Sequence, residues 1–392
     1  MNLRQPNLIC ATALALLALT LTLTGCRLQD FPQYPANYRE YAYVSNGGSN
    51  TVTILDVVNL RPERELAVGE NPVAVTASPT RNEVYIVNAG AAAGLGSVTV
   101  IDAEKNIVAA TIPVQKQPVS IDVSADGSLA YVANSGSNSI SVLDLKTRRE
   151  IAAIGVGEEP VTARLAPDGK TLVVANRKGN SVSLIDPASY VLRAVIAGCP
   201  GASDVVILPD SSKAFAACSQ GHQLLAILLA RAVGQPDKPA RADSLEAMLD
   251  IGKAPVALAL KPDGGELFTS NSLSNSISEV ATTTSEVGGA YIMGANPVRG
   301  LVSGDNSLLY VANFHSQEVT IYAIDDGKRA GSIQVGDGPS ALAFSAAGHL
   351  LFVVDTRSAD VAVVRTSSRS LFTMLPTGRA PNAIAVKAFQ LK

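Results

Sequence analysis

Short apolar segments recur along this chain, and their spacing is the strongest structural signal in the sequence. Eight of them end at Asn46, Asn88, Asn134, Asn176, Cys218, Asn271, Asn313 and Asp355. The intervals between these end residues are 42, 46, 42, 42, 53, 42 and 42 positions. Around each segment apolar and polar residues alternate, which is typical of strands with one face toward a core. The chain therefore consists of about eight copies of one β-rich unit.

The repeat can be followed in residues 118–156. Alternating apolar positions predict strands at Pro118–Val123, Leu129–Asn134, Ser139–Asp144 and 150–156. Turn residues separate them, because Asp and Ser bond to nearby backbone groups and Gly accepts a positive φ. A single four-stranded antiparallel unit cannot bury both of its faces, so neighbouring units must stack around an axis. The sequence predicts an all-β fold, a single closed β-propeller.

The number of blades follows from the starts of the first strands. These lie at Pro72, Pro118, Pro160, Ala202, Pro255, Pro297, Pro339 and Pro381. Residues 41–68 contain only three strands, and a fourth follows the last start, at Asn382–Val386. We therefore predict eight blades, with seven as the alternative. The ring is expected to close where the three N-terminal strands meet the C-terminal strand, which leaves no exposed sheet edge at that seam.

One unit departs from the period. The interval that follows Cys218 is 53 positions, longer than the usual 42. We expect the extra residues, 230–249, to form a surface loop between the third and fourth strands of that blade, with a helical turn at 244–249. A smaller insertion is expected at 91–94.

The N-terminal 40 residues have a different pattern. Arg4 precedes the almost wholly apolar stretch 8–23, which is shorter than a membrane span. The segment Leu23-Thr24-Gly25-Cys26 resembles the lipobox of bacterial lipoproteins, which implies cleavage after residue 25 and lipidation of Cys26. We expect a signal peptide (1–25), a lipidated tether (26–40) and a propeller (41–392), in an exported protein held on a bacterial membrane, at its periplasmic side or at the cell surface. An ordinary signal peptide or an uncleaved anchor is the alternative.

The repeated motifs resemble a known family. The Tyr-Val-x-Asn strand ends, as at Tyr131–Asn134, the alternating third strands and the Val-Gly-x-x-Pro starts, as at Val156–Pro160, are similar to those of the YVTN-repeat, or surface-layer-like, β-propellers. The resemblance covers residues 41–389. It implies the propeller fold and little about function, since members of that family have varied roles.

Two cysteines remain after the leader and the lipidation site are set aside. We expect strand 203–208 to pair with 213–218, so that residue 203 faces residue 218 and Cys199 lies on the same rim as Cys218. Because export leads to an oxidising compartment, we predict a Cys199–Cys218 disulfide. Two reduced, buried thiols are the alternative. The spacing lacks the Cys and His pattern of a zinc site, so we predict no metal.

Charged residues interrupt the small side chains of the first strands. These strands line the channel of a propeller, and crowding near the axis favours Ala, Ser and Thr there. Four positions differ: Asp122, Arg164, Asp204 and Arg299. Asp122 and Arg164 occupy equivalent places in adjacent blades and can pair. The four residues are predicted to form structural ion pairs or, alternatively, a pocket for an anionic ligand with Arg164 and Arg299 as donors.

The asparagines at the strand ends and two histidines lie on one predicted face. Because asparagine recurs in almost every repeat, we interpret it as structural, bonded within its own turn. His222 and His315 follow second strands and reach the same face as the channel mouth. His222 and His315 are therefore candidate ligand-binding residues, with exposed loop positions as the alternative.

Composition excludes some functions. The net charge is −3 and aromatic residues make up 5% of the chain, so neither phosphate neutralisation nor base stacking supports nucleic-acid binding. No cofactor is predicted, because the sequence lacks a Cys-x-x-Cys-His motif and any Trp. We expect a non-catalytic scaffold for a protein, peptide or polysaccharide. The alternative is an enzyme of the quinoprotein or lactonase type, the latter with Asp204, His315 and Arg299 as its nearest candidates.

Overall fold

The structure of the chain is almost entirely β-sheet. The computed structural model describes residues 32–92, 94–230 and 241–391, and within these it contains 32 strands and no α-helix. No helix in the described ranges has the length and apolar character needed to cross a membrane. In chain order the strands are β1 (Tyr38–Asn46), β2 (Thr51–Asp56), β3 (Arg61–Ala67), β4 (Pro72–Ala77), β5 (Glu83–Asn88), β6 (Leu95–Asp102), β7 (Ile107–Lys116), β8 (Pro118–Val123), β9 (Leu129–Asn134), β10 (Ser139–Asp144), β11 (Arg149–Gly155), β12 (Pro160–Leu165), β13 (Leu172–Asn176), β14 (Ser181–Asp186), β15 (Val191–Ala197), β16 (Ala202–Ile207), β17 (Lys213–Cys218), β18 (Gln223–Leu228), β19 (Ser244–Asp250), β20 (Pro255–Leu260), β21 (Glu266–Asn271), β22 (Ser276–Ala281), β23 (Glu286–Ile292), β24 (Pro297–Val302), β25 (Leu308–Asn313), β26 (Glu318–Ala323), β27 (Lys328–Gln334), β28 (Pro339–Phe344), β29 (Leu350–Asp355), β30 (Asp360–Arg365), β31 (Ser370–Pro376) and β32 (Pro381–Gln390).

These strands form eight four-stranded antiparallel sheets, the blades of a β-propeller. Blades 1 to 7 are consecutive sets of four, β4–β7 through β28–β31. Blade 8 has the order β3-β2-β1-β32, so its innermost strand comes from the C-terminus and its other three from the N-terminus. The predicted all-β class, the count of eight and the closure across the termini are confirmed. The seam is hydrogen-bonded on one rim, where the Gly47 and Gly48 amides donate to the carbonyls of Ala380 and Arg379 at 3.0 and 2.9 Å.

The core lies between blades. Second and third strands are buried nearly throughout, whereas fourth strands such as β11 and β15 are mostly exposed or half-buried. One apolar cluster joins Tyr131 and Val142 of blade 2 to Ala163 and Val174 of blade 3, and similar clusters fill the other inter-blade spaces. Each blade therefore completes the core of its neighbours, which is why the repeats must stack to be stable.

Two local expectations in blade 4 are wrong. The predicted helical turn at 244–249 is instead part of β19, which pairs with β18 and supplies the outer strand of the blade. Residues 231–240 of the expected loop lie outside the described residues. The partner of Cys218 is Ala202 rather than residue 203, because the register shifts by one residue between Ala202 and Asp204. A bulge of this kind places two residues opposite one and turns the bulged strand.

Candidate functional site

The innermost strands of all eight blades enclose one central channel. It contains a cavity of about 630 Å³. Most of its wall is small or aliphatic, and the charged lining residues are Arg164 of β12, Asp204 of β16 and Arg299 of β24. A cavity of this size is typical of small-molecule sites. The structure therefore brings three of the four charged channel candidates into one cavity.

The fourth candidate pairs with one of these three. Arg164 Nη1 lies 3.7 Å from Asp122 Oδ1, across the boundary between blades 3 and 2. The second oxygen of Asp122 accepts the backbone N–H of Leu165 at 2.7 Å. Asp122 lines a separate cavity of about 650 Å³, to which blades 1, 2 and 3 all contribute. The pairing of Asp122 and Arg164 that the sequence suggested is thus present, with the guanidinium on the channel side.

Asp204 is the buried acid of the channel. Its carboxylate accepts backbone N–H groups from Val205 at 2.9 Å and from Leu258 of the next blade at 3.0 Å. Arg299, two blades further on, places Nη1 3.9 Å from Asp204 Oδ2. Asp204 is only 6% exposed, so these contacts compensate for the loss of hydration of a buried charge. Arg299 therefore extends across the wall of blade 5 to reach blade 4.

The asparagines at the strand ends are structural. All six are buried, and the amide nitrogens of Asn134 and Asn176 donate to serine hydroxyls of the neighbouring strand at 2.8–3.4 Å. Most of these amides pack against a glycine that lies three positions before the first strand of the same blade. At Gly157, for example, an added Cβ would lie 2.7 Å from Asn176 Nδ2. This packing explains why the Val-Gly-x-x-Pro start and the terminal asparagine occur together.

His222 has a structural role of its own. It occupies the last position of the turn after β17, with φ of 57°, where other blades have Asn50, Asn138, Asn180 and Asn275. In those blades the asparagine oxygen accepts an N–H from the start of the next blade, as Asn138 Oδ1 does from Glu159 at 2.9 Å. His222 Nδ1 accepts the N–H of Ala254 at 3.1 Å in the same way. Its imidazole therefore replaces the usual asparagine rather than forming part of a ligand cluster.

His315 is also a loop residue on this rim. Its Nδ1 lies 3.2 Å from Asn296 Nδ2, and its ring packs edge-on against Phe314. It is exposed and does not line the central cavity. The structure therefore brings Asp204 and Arg299 together but leaves His315 outside. Within the described ranges, no three His, Cys, Asp or Glu side chains are grouped closely enough to hold a metal ion.

Cys199 and Cys218 are joined by a disulfide in the structure. Both are fully buried, and their Cα atoms are 4.8 Å apart. Cys218 stands where six other blades have asparagine, and Cys199 stands three positions before β16, where six other blades have glycine. The covalent bond thus takes the place of the packed glycine and asparagine pair in blade 4. Cys26 lies outside the described residues.

Sequence reasoning missed a second replacement, in blade 7. Asp355 occupies the asparagine position and is 0% exposed, and Asp360 lies directly opposite it in the hairpin. One oxygen of Asp355 accepts the Gly336 N–H at 3.0 Å. Burial, with Asp360 nearby, raises the pKa of Asp355 to about 8, and burial also raises the pKa of Asp360. Asp355 is therefore expected to be protonated at neutral pH, and the protonated acid can supply the donor that an asparagine amide supplies elsewhere. The substitution of Asp for Asn in a repeated position was the available signal.

The fold defines a β-propeller whose central cavity has three charged lining residues, and comparisons with known proteins agree with the propeller fold. A family model described as "Lactonase, 7-bladed beta-propeller" matches residues 82–208. The chain is similar to that family over this stretch, about three blades of eight. The comparison with curated proteins gives no match.

Solved structures resemble the chain over most of its length. The dihydro-heme d1 dehydrogenase NirN shares 18% identity, with 91% of this chain and 78% of that chain covered and a TM-score of 0.72. Apo AztD from Citrobacter koseri shares 15%, covering 90% and 98%, with a TM-score of 0.65. Hydrazine synthase from Kuenenia stuttgartiensis shares 22%, covering 83% and 92%, with a TM-score of 0.58. At these identities the likeness concerns the fold alone.

Proposed function

We propose that this protein is a lipid-anchored propeller of the bacterial envelope that binds its ligand or partner without chemically changing it. The observation that carries this proposal is the central channel. It is large enough for a small molecule, and its charged lining residues are held as ion pairs between blades. None of the described lining residues is a histidine or cysteine, the commonest general base and the most nucleophilic side chain.

The closed ring supports a binding role in a second way. Each blade contributes loops to two rims, and a rigid scaffold with variable loops is a common way to present a binding surface. A protein, peptide or polysaccharide partner would contact these loops, while a small molecule would enter the channel. The anchor on Cys26 would keep either complex at the membrane, since two or more acyl chains bind firmly to a bilayer.

The experiment that tests binding against catalysis is recovery of the ligand. The full chain, expressed with its leader and purified in detergent, is incubated with a metabolite extract from the source cells, separated from free solutes and denatured. Mass spectrometry of the released compounds, and of the depleted extract, then shows what happened to them. A compound retained with unchanged mass supports the proposal. Turnover of an extract component, with release of a product, contradicts it.

The anchor is tested separately. Cells that express the chain are labelled with tritiated palmitate, and the wild-type protein is compared with Cys26→Ala. Label on the wild type alone, together with loss of the variant from the membrane fraction, is the expected result. Equal labelling, or equal membrane association without label, would show that Cys26 is not the lipidation site.

A lactonase is the second candidate, favoured by the family match over residues 82–208. The ion pair of Asp204 and Arg299 would have to supply its polar groups, because His315 lies on a loop outside the cavity. Hydrolysis of a panel of lactones, followed by pH-stat titration, tests this directly. Activity that is lost in Arg299→Gln and kept in Arg177→Gln, an exposed arginine on a rim loop, would favour the enzyme over the scaffold.

A further inference from the structure

The two arginines of the central channel have donors that the protein does not use. A guanidinium carries five N–H groups. The contacts of Arg164 and Arg299 with their acids are 3.7 and 3.9 Å long, beyond hydrogen-bond distance. Neither side chain donates a hydrogen bond to any residue in the described part of the chain. Both are partly exposed, 40% for Arg164 and 46% for Arg299, so their donors face the channel solvent.

Several other arginines of the same protein differ. Arg148 donates to Glu83 at 3.0 Å and to a backbone carbonyl. Arg193 donates to Asp243, to Thr171 and to a carbonyl. Arg241 donates to the carbonyls of residues 212 and 229. Those guanidiniums hold the fold together through hydrogen bonds, whereas the two in the channel are held by charge and keep their donors available.

The acids beside the channel arginines orient them and are themselves already bonded. Asp122 accepts the Leu165 amide, and Asp204 accepts the amides of Val205 and Leu258. These carboxylates are therefore fixed by the backbone, and each attracts one arginine toward the channel wall. A guanidinium positioned in this way presents a planar fork that matches a carboxylate in a bidentate arrangement.

The arrangement of charges points to a ligand with more than one acid group. Arg164 belongs to blade 3 and Arg299 to blade 6, three of eight steps around the ring. They project from well-separated parts of the wall into one cavity of about 630 Å³. The wall has aliphatic side chains such as Val161, Leu258 and Leu301, but the surface that it exposes to the cavity is mostly polar, which suits a ligand rich in acid groups. One further polar atom of the wall, the hydroxyl of Ser120, is buried with no partner.

We propose that the central channel binds a small organic di- or tricarboxylate, with one carboxylate on Arg164 and another on Arg299. The proposal rests on the binding function proposed above and names its ligand class. A phosphate is less well matched, because a single dianionic group would be concentrated at one guanidinium that already has an acid beside it. Two separate monoanionic groups distribute the charge over both arginines.

The test is isothermal titration calorimetry of citrate and succinate into the full chain in detergent, at pH 7 and low salt. Both should bind, and raising the salt concentration should weaken them. Acetate should bind at least tenfold more weakly, since it engages one arginine only. Arg164→Gln and Arg299→Gln should each weaken citrate at least tenfold. Arg177→Gln is the matched control, because Arg177 is similarly exposed (49%) and paired with one acid on a rim loop, and it should change nothing.

Several results would overturn the proposal. These are absence of citrate and succinate binding, equal loss of affinity in Arg177→Gln, or inorganic phosphate binding as tightly as citrate. Thermal unfolding of each variant establishes that it is folded. The variants Arg164→Lys and Arg299→Lys keep the positive charge but lack the bidentate fork, so each should weaken citrate binding only partially. The proposed binding function is judged independently by ligand recovery. A retained compound without two carboxylates would leave that function standing and refute this ligand class.

Discussion

Asp355 provides a sharp test of how the blades are held together. Six other blades have a buried asparagine at this position, and blade 7 has a buried acid facing Asp360. Because burial raises the pKa of Asp355 to about 8, from 3.8 in the unfolded chain, the native state holds a proton that the unfolded state releases. The contribution of Asp355 to the free energy of unfolding is therefore fully present below about pH 4 and is lost as the pH rises toward 8. The substitution Asp355→Asn should abolish that loss.

The magnitude follows from proton linkage. While one proton separates the native from the unfolded state, the free energy of unfolding falls by about 1.4 kcal/mol per pH unit. Between pH 5 and pH 7.5 the wild type should therefore lose about 3 kcal/mol relative to Asp355→Asn. The variant should be the more stable protein at pH 7.5, because its neutral amide can donate to Asp360 and its carbonyl can replace the oxygen of Asp355 that accepts from Gly336.

The assay is urea unfolding at several pH values, followed by far-ultraviolet circular dichroism. The difference between wild type and variant is the useful quantity, because burial lowers the pKa of His349 and this opposes the trend equally in both proteins. Asp337→Asn serves as control, since Asp337 is a half-exposed acid on the same rim, and its pH profile should follow the wild type. A wild-type profile parallel to that of Asp355→Asn, or a variant that is less stable at pH 7.5, would refute the protonation of Asp355 in the native state.

Two further predictions concern the same rim. Gly157→Ala should destabilise the protein by about 1–3 kcal/mol, because the added Cβ would lie 2.7 Å from Asn176 Nδ2. Gly155→Ala is the control and should be neutral, since nothing lies within 4 Å of its added Cβ. Thermal or urea unfolding compares the two variants, and equal effects would contradict the packing argument. Replacing Cys199 and Cys218 together by serine should cost about 3 kcal/mol for a loop of 19 residues, measured by unfolding without reductant. An unchanged midpoint there would show that the bond does not constrain the unfolded chain.

The sequence was sufficient to predict the architecture because the same physical requirement is repeated eight times. Alternation, turn residues and a fixed period predicted strands such as Ser139–Asp144 at their observed bounds, together with closure across the termini. One failure occurred where a single repeat departs from the others. The stretch 244–249 can be interpreted locally as a helical turn, but pairing with β18 requires a strand. The other failure concerns a feature that the repeats share: the bulge after Ala202 recurs at the same place in blades 1 to 7. It changes the partner of Cys218 by one residue and leaves no mark in the alternation.

The candidate site was predictable only in part. Charged residues among small ones marked Asp122, Arg164, Asp204 and Arg299, and the shared register of adjacent blades suggested the first pair. The contact between Asp204 and Arg299 depends on a side chain crossing a whole blade, which no one-dimensional pattern records. His222 illustrates the reverse case. A histidine suggests chemistry, yet its place in the turn shows that it accepts a backbone N–H as asparagine does elsewhere.

A crystal structure of the full-length protein with citrate tests the central claim most directly. The account predicts eight blades around one channel, β32 completing the sheet of β1–β3, and citrate density between the guanidinium groups of Arg164 and Arg299. Seven blades, a C-terminal strand placed away from the N-terminal ones, or citrate bound only outside the channel would contradict it.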